Sequence, residues 1–104
     1  MIEITNAGIR LFLEGITKNP LHLRPLDRDG ISAGPDAEID PSLWSIEGRQ
    51  IICSGVVVEA ERDGICTSYQ VIQGQDAIFV GYLSEEYEHG MGDMLVFRIE
   101  INLP

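Results

Sequence analysis

Val56-Val57-Val58-Glu59-Ala60-Glu61-Arg62-Asp63-Gly64-Ile65-Cys66-Thr67-Ser68-Tyr69-Gln70-Val71 is the stretch on which the reading of the fold turns. Asp-Gly is favoured in a type I′ turn because both central residues there take positive φ. Here it separates two runs rich in β-branched and aromatic residues, Arg49 to Arg62 and Ile65 to Gln73, and the spacing predicts a hairpin. Pairing Arg62 with Ile65 puts Val58 opposite Tyr69, Val56 opposite Val71 and Ala60 opposite Thr67 on one apolar face. Val57 with Gln70 and Glu59 with Ser68 then form a largely polar face, the pattern of an antiparallel sheet wet on one side. The same register sets Cys53 opposite Gly74, roughly 26 Å along the neighbouring strand from Cys66 at ~3.3 Å per residue, so the two cysteines are not expected to be joined.

Downstream, Gln73-Gly74-Gln75-Asp76 reads as a turn, and the nearly continuous apolar run Ala77 to Leu83 as a strand buried on both sides. Ser84 to Gly92 is polar and reads as a loop. Leu95, Phe97, Ile99, Ile101 and Leu103 alternate with Val96, Arg98, Glu100 and Asn102, the period of a final strand. Upstream, Ile9, Phe12, Leu13 and Ile16 share one helical face, with Thr5 or Asn6 as N-cap and Gly15 at the stop, so a short helix is expected over Asn6 to Ile16, anchored by a buried Phe12. Leu21 to Arg24 reads as a strand ended by Pro25, Asp27 to Asp40 as a polar surface loop, and Trp44 and Ile46 as a return to the core. The fold class expected is mainly β: a single antiparallel β-sandwich or jelly-roll-like domain over residues 1–104, with one short N-terminal α-helix and about six to eight short strands.

The chain has 104 residues, 44% hydrophobic, with 17 acidic against 7 basic side chains and a net charge of -10. That length suits one core. The charge argues against DNA, RNA or an anionic membrane as partner, because nucleic-acid binders need a positive face to release counterions. Met1-Ile2-Glu3-Ile4 has no charged segment leading into an apolar run, and no stretch approaches ~18 consecutive apolar residues, so a cytosolic protein, or one assembled there into something larger, is expected. Cys53 and Cys66 lack zinc-ligand spacing and read as core residues.

Catalytic chemistry finds little to build on. His22 and His89 are the only histidines available as a general base, the first on the polar side of a strand and the second in an acidic loop, and both read as solvated. No glycine-rich phosphate loop is present. Glu85, Glu86, Glu88 and His89 are the densest set of candidate cation ligands, and Asp27-Arg28-Asp29-Gly30 opens like an EF-hand loop but lacks its later ligands. Carboxylate pairs of the glycosidase kind are unavoidable with so many acids, and Trp44, Phe79 and Phe97 read as core rather than as a sugar-binding groove. No catalytic, cofactor-binding or metal residue is therefore assigned.

Three segments carry a resemblance: the opening Ile4-Thr5-Asn6-Ala7-Gly8-Ile9 into an amphipathic helix, the run Ala77-Ile78-Phe79-Val80-Gly81-Tyr82-Leu83-Ser84, and Met91-Gly92-Asp93-Met94-Leu95-Val96-Phe97 followed by Ile99-Glu100-Ile101. Together they resemble small structural proteins of tailed bacteriophages, the capsid decoration or cement proteins and the minor tail or tail-fibre-type proteins. The resemblance covers the first 16 residues and the last 28 of the chain. It implies a non-enzymatic virion protein, assembled in the host cytoplasm, that cements the capsid as a trimer and contacts itself and other capsid or tail proteins. A tail or tail-fibre-associated role is the alternative within that class. A small carbohydrate- or metal-binding β-sandwich using the loop Glu85 to His89 is the alternative outside it. Val57, Met94 and Val96 are apolar where a solvated face is expected, so they are the expected interface residues.

Overall fold

The computed structural model describes residues 2–103. It is mainly β, two antiparallel sheets packed as a sandwich with one N-terminal helix. The elements are α1 (Asn6–Thr17), β1 (Leu21–Asp27), β2 (Ala37–Glu38), a 3-10 turn (Pro41–Leu43), β3 (Trp44–Glu47), β4 (Gln50–Glu59), β5 (Gly64–Gln73), β6 (Asp76–His89) and β7 (Met94–Asn102). One sheet runs β2-β1-β5-β6 and the other β3-β4-β7. Between them, the inward residues Leu23, Val71, Ile51, Val58, Leu95, Phe97 and Ile99 form the core. Tyr69 on β5 bridges the layers, its ring edge-on to Phe97 at 5.6 Å.

Helix α1 starts where the sequence places it: Thr5 is the N-cap, its hydroxyl accepting from Gly8 N at 3.1 Å. It runs on past Gly15 to Thr17. Its one buried residue is Ile9, not Phe12, which is 40% exposed. The apolar stripe is rotated, so that Ile9 is buried, Leu13 and Ile16 are half-buried and Phe12 is exposed. The Arg49 guanidinium donates to the Ile4 carbonyl, and Gln73 Nε2 reaches the Ile16 carbonyl at 3.5 Å.

The expected hairpin at Asp63-Gly64 does not form. β4 pairs with β3 and β7, whereas β5 pairs with β1 and β6, so residues 60–63 carry the chain from one sheet to the other. A type I′ turn needs positive φ at both central residues, and neither Asp63 nor Gly64 has it. Val58 therefore faces Leu95 and Val56 faces Phe97, while Tyr69 and Val71 face Gly81 and Phe79. Cys53 lies opposite Trp44 and Ile99 rather than Gly74, and Cys66 opposite Asp27 and Tyr87. Both cysteines are free and buried, so the expected absence of a bond between them holds although its register argument does not.

Four further expectations change. Strand β1 continues through Pro25 to Asp27. Pro25 is tolerated because its carbonyl, and hence its missing N–H, points away from β5 towards Ala33, whose N–H donates to that carbonyl at 3.0 Å. The segment from Asp27 to Asp40 is not all surface loop: Asp27, Ala33 and Ile39 are buried and Ala37–Glu38 forms β2. Trp44 does return to the core, whereas Ile46 stays exposed. Finally, Ala77 to Leu83 is not a strand covered on both faces. It belongs to β6, the edge of its sheet, which continues through the expected loop as far as His89.

Candidate functional site

Strand β7 pairs with β4; β7 alternates along its length and β4 alternates from Val56 to Glu59, so every second side chain there faces outward. Val57 lies directly across from Val96, and Met94 follows two residues before Val96 on the same face, opposite Glu59. The three are 49%, 68% and 61% exposed respectively. The residues nominated from sequence are thus brought together on the outer face of the three-stranded sheet.

The sequence reading missed a second exposed set. On β6, Ile78, Val80 and Tyr82 point to solvent, with Tyr82 82% exposed. A continuous apolar run does not say whether both of its faces are covered, so no signal in the sequence separated an edge strand from a central one here. Both β6 and β7 are edge strands, and between them runs a groove of about 430 Å³ lined by Cys66, Leu83, Glu85, Tyr87, Leu95 and Phe97 among others. Opposite Thr67, β6 carries the four residues 83–86, because the pairing shifts between Ser68↔Tyr82 and Cys66↔Tyr87. That bulge lifts the acidic residues onto the rim of the groove.

The largest departure is His89. It is buried, and its Nε2 lies 2.7 Å from Asp27 Oδ1, also buried. Because a carboxylate only accepts, Nε2–H donates, and His89 Nδ1 is left without a hydrogen-bond partner among the described residues. Asp27 Oδ2 has Arg62 Nε at 3.4 Å, and Arg62 also holds Asp29 at 2.7 Å. Around this pair, Asp63 Oδ1 accepts from Met91 N at 2.9 Å and Asp93 Oδ2 from Gly90 N at 2.8 Å. The crossover is thereby tied both to the start of the β1–β2 connection and to the turn between β6 and β7.

A carboxylate orienting a histidine is two-thirds of a nucleophile-activating triad, but the arrangement offers that histidine nothing to deprotonate. His89 is enclosed, and among the described residues its remaining nitrogen meets no hydroxyl or thiol at hydrogen-bond distance. Burial pushes the Cys53 thiol up to about 11, and burial with the nearby Asp27 charge raises that of Cys66. Both are therefore protonated near neutrality, the inert state for a cysteine. The cluster acts as a polar clasp. His89 is also committed to Asp27 rather than to Glu85, Glu86 and Glu88, and Glu86 pairs with Arg28. Among the described residues no three His, Cys, Asp or Glu side chains are gathered as metal ligands. His22 lies on β1 opposite Glu38 and Ile72, half-buried, and Asp29 is engaged by Arg62 and by Ile31 N. No described helix is long and apolar enough to cross a membrane. Compared with known proteins, the chain matches no family model, no curated protein and no solved structure.

Proposed function

We propose that this protein is a non-enzymatic structural subunit that works by docking, through the outer face of its three-stranded sheet, into a larger protein assembly. The observation that carries the reading is the grouping of Val57, Val96 and Met94 on one exposed face. Single exposed hydrophobes are ordinary, but a contiguous apolar patch on a sheet marks a protein contact. The polar clasp at Asp27 and His89 supports it, since this buried histidine–carboxylate pair is used to lock the crossover.

The specific form we propose is a bacteriophage virion protein, a capsid decoration or cement protein associating with itself as a trimer and with the head shell. A tail-associated protein is its alternative. The resemblance of the opening helix and last two strands supports this form, and an acidic outer surface suits a shell that must not bind packaged DNA. Mass spectrometry of purified particles with copy-number determination tests it: a high copy number supports head decoration, a few copies the tail, and absence from particles overturns the virion assignment. Val57→Glu tests the docking face. It places a charge where an apolar contact is proposed, so particle occupancy or self-association should fall while the thermal midpoint stays; unchanged occupancy overturns the face.

A further inference from the structure

We infer that the open edge of β7, beside the groove between β6 and β7, takes an added strand: an extended, lysine- or arginine-bearing segment of a partner protein. This rests on the docking reading above and names the chemistry of the partner.

Ala60 N donates to Asp93 O at 2.8 Å, and Leu103 N to Arg49 O at 2.9 Å. In an antiparallel ladder, successive residues alternate between bonding the neighbour and facing away from it. Positions 93 and 103 both face β4, and the bulge between them, Ser54 and Gly55 opposite Arg98, lies on β4 rather than on β7. The odd-numbered residues of β7 therefore bond β4, and the N–H and C=O groups of Met94, Val96 and Arg98 face the open side. A row of unbonded donors and acceptors at this spacing is a template for strand addition, the mode in which main-chain bonds supply affinity and side-chain pockets supply selectivity. Beside it lie the apolar side chains Leu83, Leu95 and Phe97, in a groove whose size is within the range of about 300–1,000 Å³ usual for ligand sites.

Charge selects the occupant. Glu85 is on the groove wall, Glu88 is on the same strand, and Glu59 and Asp93 lie beside Met94. Among the described residues none of these four makes an ion pair, and Arg98, the nearest cation on β7, is held by Glu100 at 2.7 Å. A second copy would bring another net charge of -10 to this rim, whereas a cationic strand gains attraction there, so the groove favours a different, basic partner over self-pairing.

The test uses the full-length protein, labelled with nitrogen-15, and two peptides of about six residues, one alternating lysine with valine and one alternating glutamate with valine. The lysine–valine peptide is expected to shift the amide resonances of Met94, Val96 and Arg98, and the glutamate–valine peptide to leave them in place. Val96→Pro removes an N–H that bonds nothing within the sheet, so it should leave the thermal midpoint near that of the wild type while weakening the peptide at least about tenfold. Should that variant fold poorly, Glu85→Lys with Glu88→Lys reverses the rim and is expected to exchange the two peptides' order of affinity. Equal binding of both peptides, no binding of either, unchanged affinity in Val96→Pro, or the same resonances moving with protein concentration alone would each overturn the inference. The two readings fail separately. If Val57→Glu abolishes assembly and Val96→Pro does not alter peptide binding, docking through the sheet face stands and strand addition falls; absence from particles with selective peptide binding gives the reverse.

Discussion

Two glycines stand where the chain leaves one strand for the next, Gly64 at the start of β5 and Gly74 at its end, and they are used for opposite reasons. Gly74 has φ +63 with open space around it, and it closes a true hairpin in which Gln73 faces Asp76. Gly64 has ordinary φ, but a Cβ there would lie well inside contact distance of the Asp27 carboxylate and close to His89 Nε2. The first glycine is needed for its backbone freedom and the second for its missing side chain. In sequence both are a polar residue followed or preceded by glycine between two strands. Turn chemistry marks a reversal; it does not name the partner strand, which depends on what lies across the sandwich.

Alanine at each position separates the two uses. Gly64→Ala should push apart a buried hydrogen-bonded couple and leave His89 and Asp27 unsatisfied, a loss of about 3–5 kcal/mol by urea unfolding. Gly74→Ala imposes only an unfavourable φ in open space, about 1 kcal/mol. If the two losses are equal, or Gly74 proves the more sensitive, the assignment of Gly64 to the clasp is wrong.

Gly81 sharpens the same distinction within a strand. It lies opposite Tyr69, its φ is unremarkable, and a Cβ would run into the Tyr69 ring. That ring can shift, unlike the enclosed couple at Asp27, so Gly81→Ala should lose about 1–3 kcal/mol, less than Gly64→Ala. The change should also disturb the near-ultraviolet signal of Tyr69, which packs edge-on to Phe97. A loss of the hairpin size with an unaltered tyrosine signal would mean that the ring does not lean on this glycine.

The same contrast explains which parts of the fold were legible. β7 was readable because strict alternation reports one buried face: Leu95, Phe97 and Ile99 are buried, and Met94 and Val96 exposed. That alternation also nominated the exposed face from sequence. β6 was not readable, because Ala77 to Leu83 shows neither an apolar face nor a polar one, and its edge position comes from the crossover that the Asp-Gly signal concealed. The helix was found but its rotation was not, since Ile9, Phe12, Leu13 and Ile16 share one helical face and only the tertiary packing decides which side of it is buried. His89 lies 62 residues from Asp27, and a lone histidine among glutamates carries no local mark of burial. Non-local polar pairing is the information that periodicity lacks.

The smallest expected effect lies at the same crossover and concerns its outermost ion pair. Arg62 donates to Asp29 at 2.7 Å, and that hydrogen bond, with a second from Ile31 N, holds the Asp29 carboxyl below its ordinary value of 3.8. A lowered folded value means that the carboxylate's contribution is complete above 3.8 and is lost as pH falls below it through the folded value. Acidification also relieves the repulsion of a chain at -10, so absolute stability against pH mixes two opposing trends. The difference between wild type and Asp29→Asn removes that background. Wild type should have the slightly higher thermal midpoint at pH 7, with the gap narrowing below 3.8 and shrinking in high salt, because the pair is solvent-exposed. Amide exchange should place the loosening at residues 60–64 and leave the Gly74 turn unchanged. A gap that persists in acid would show that Asp29 contributes without its charge, and no gap at pH 7, or exchange that rises equally at both reversals, would show that Arg62 is held by Asp27 alone and that Asp29 adds nothing to the clasp.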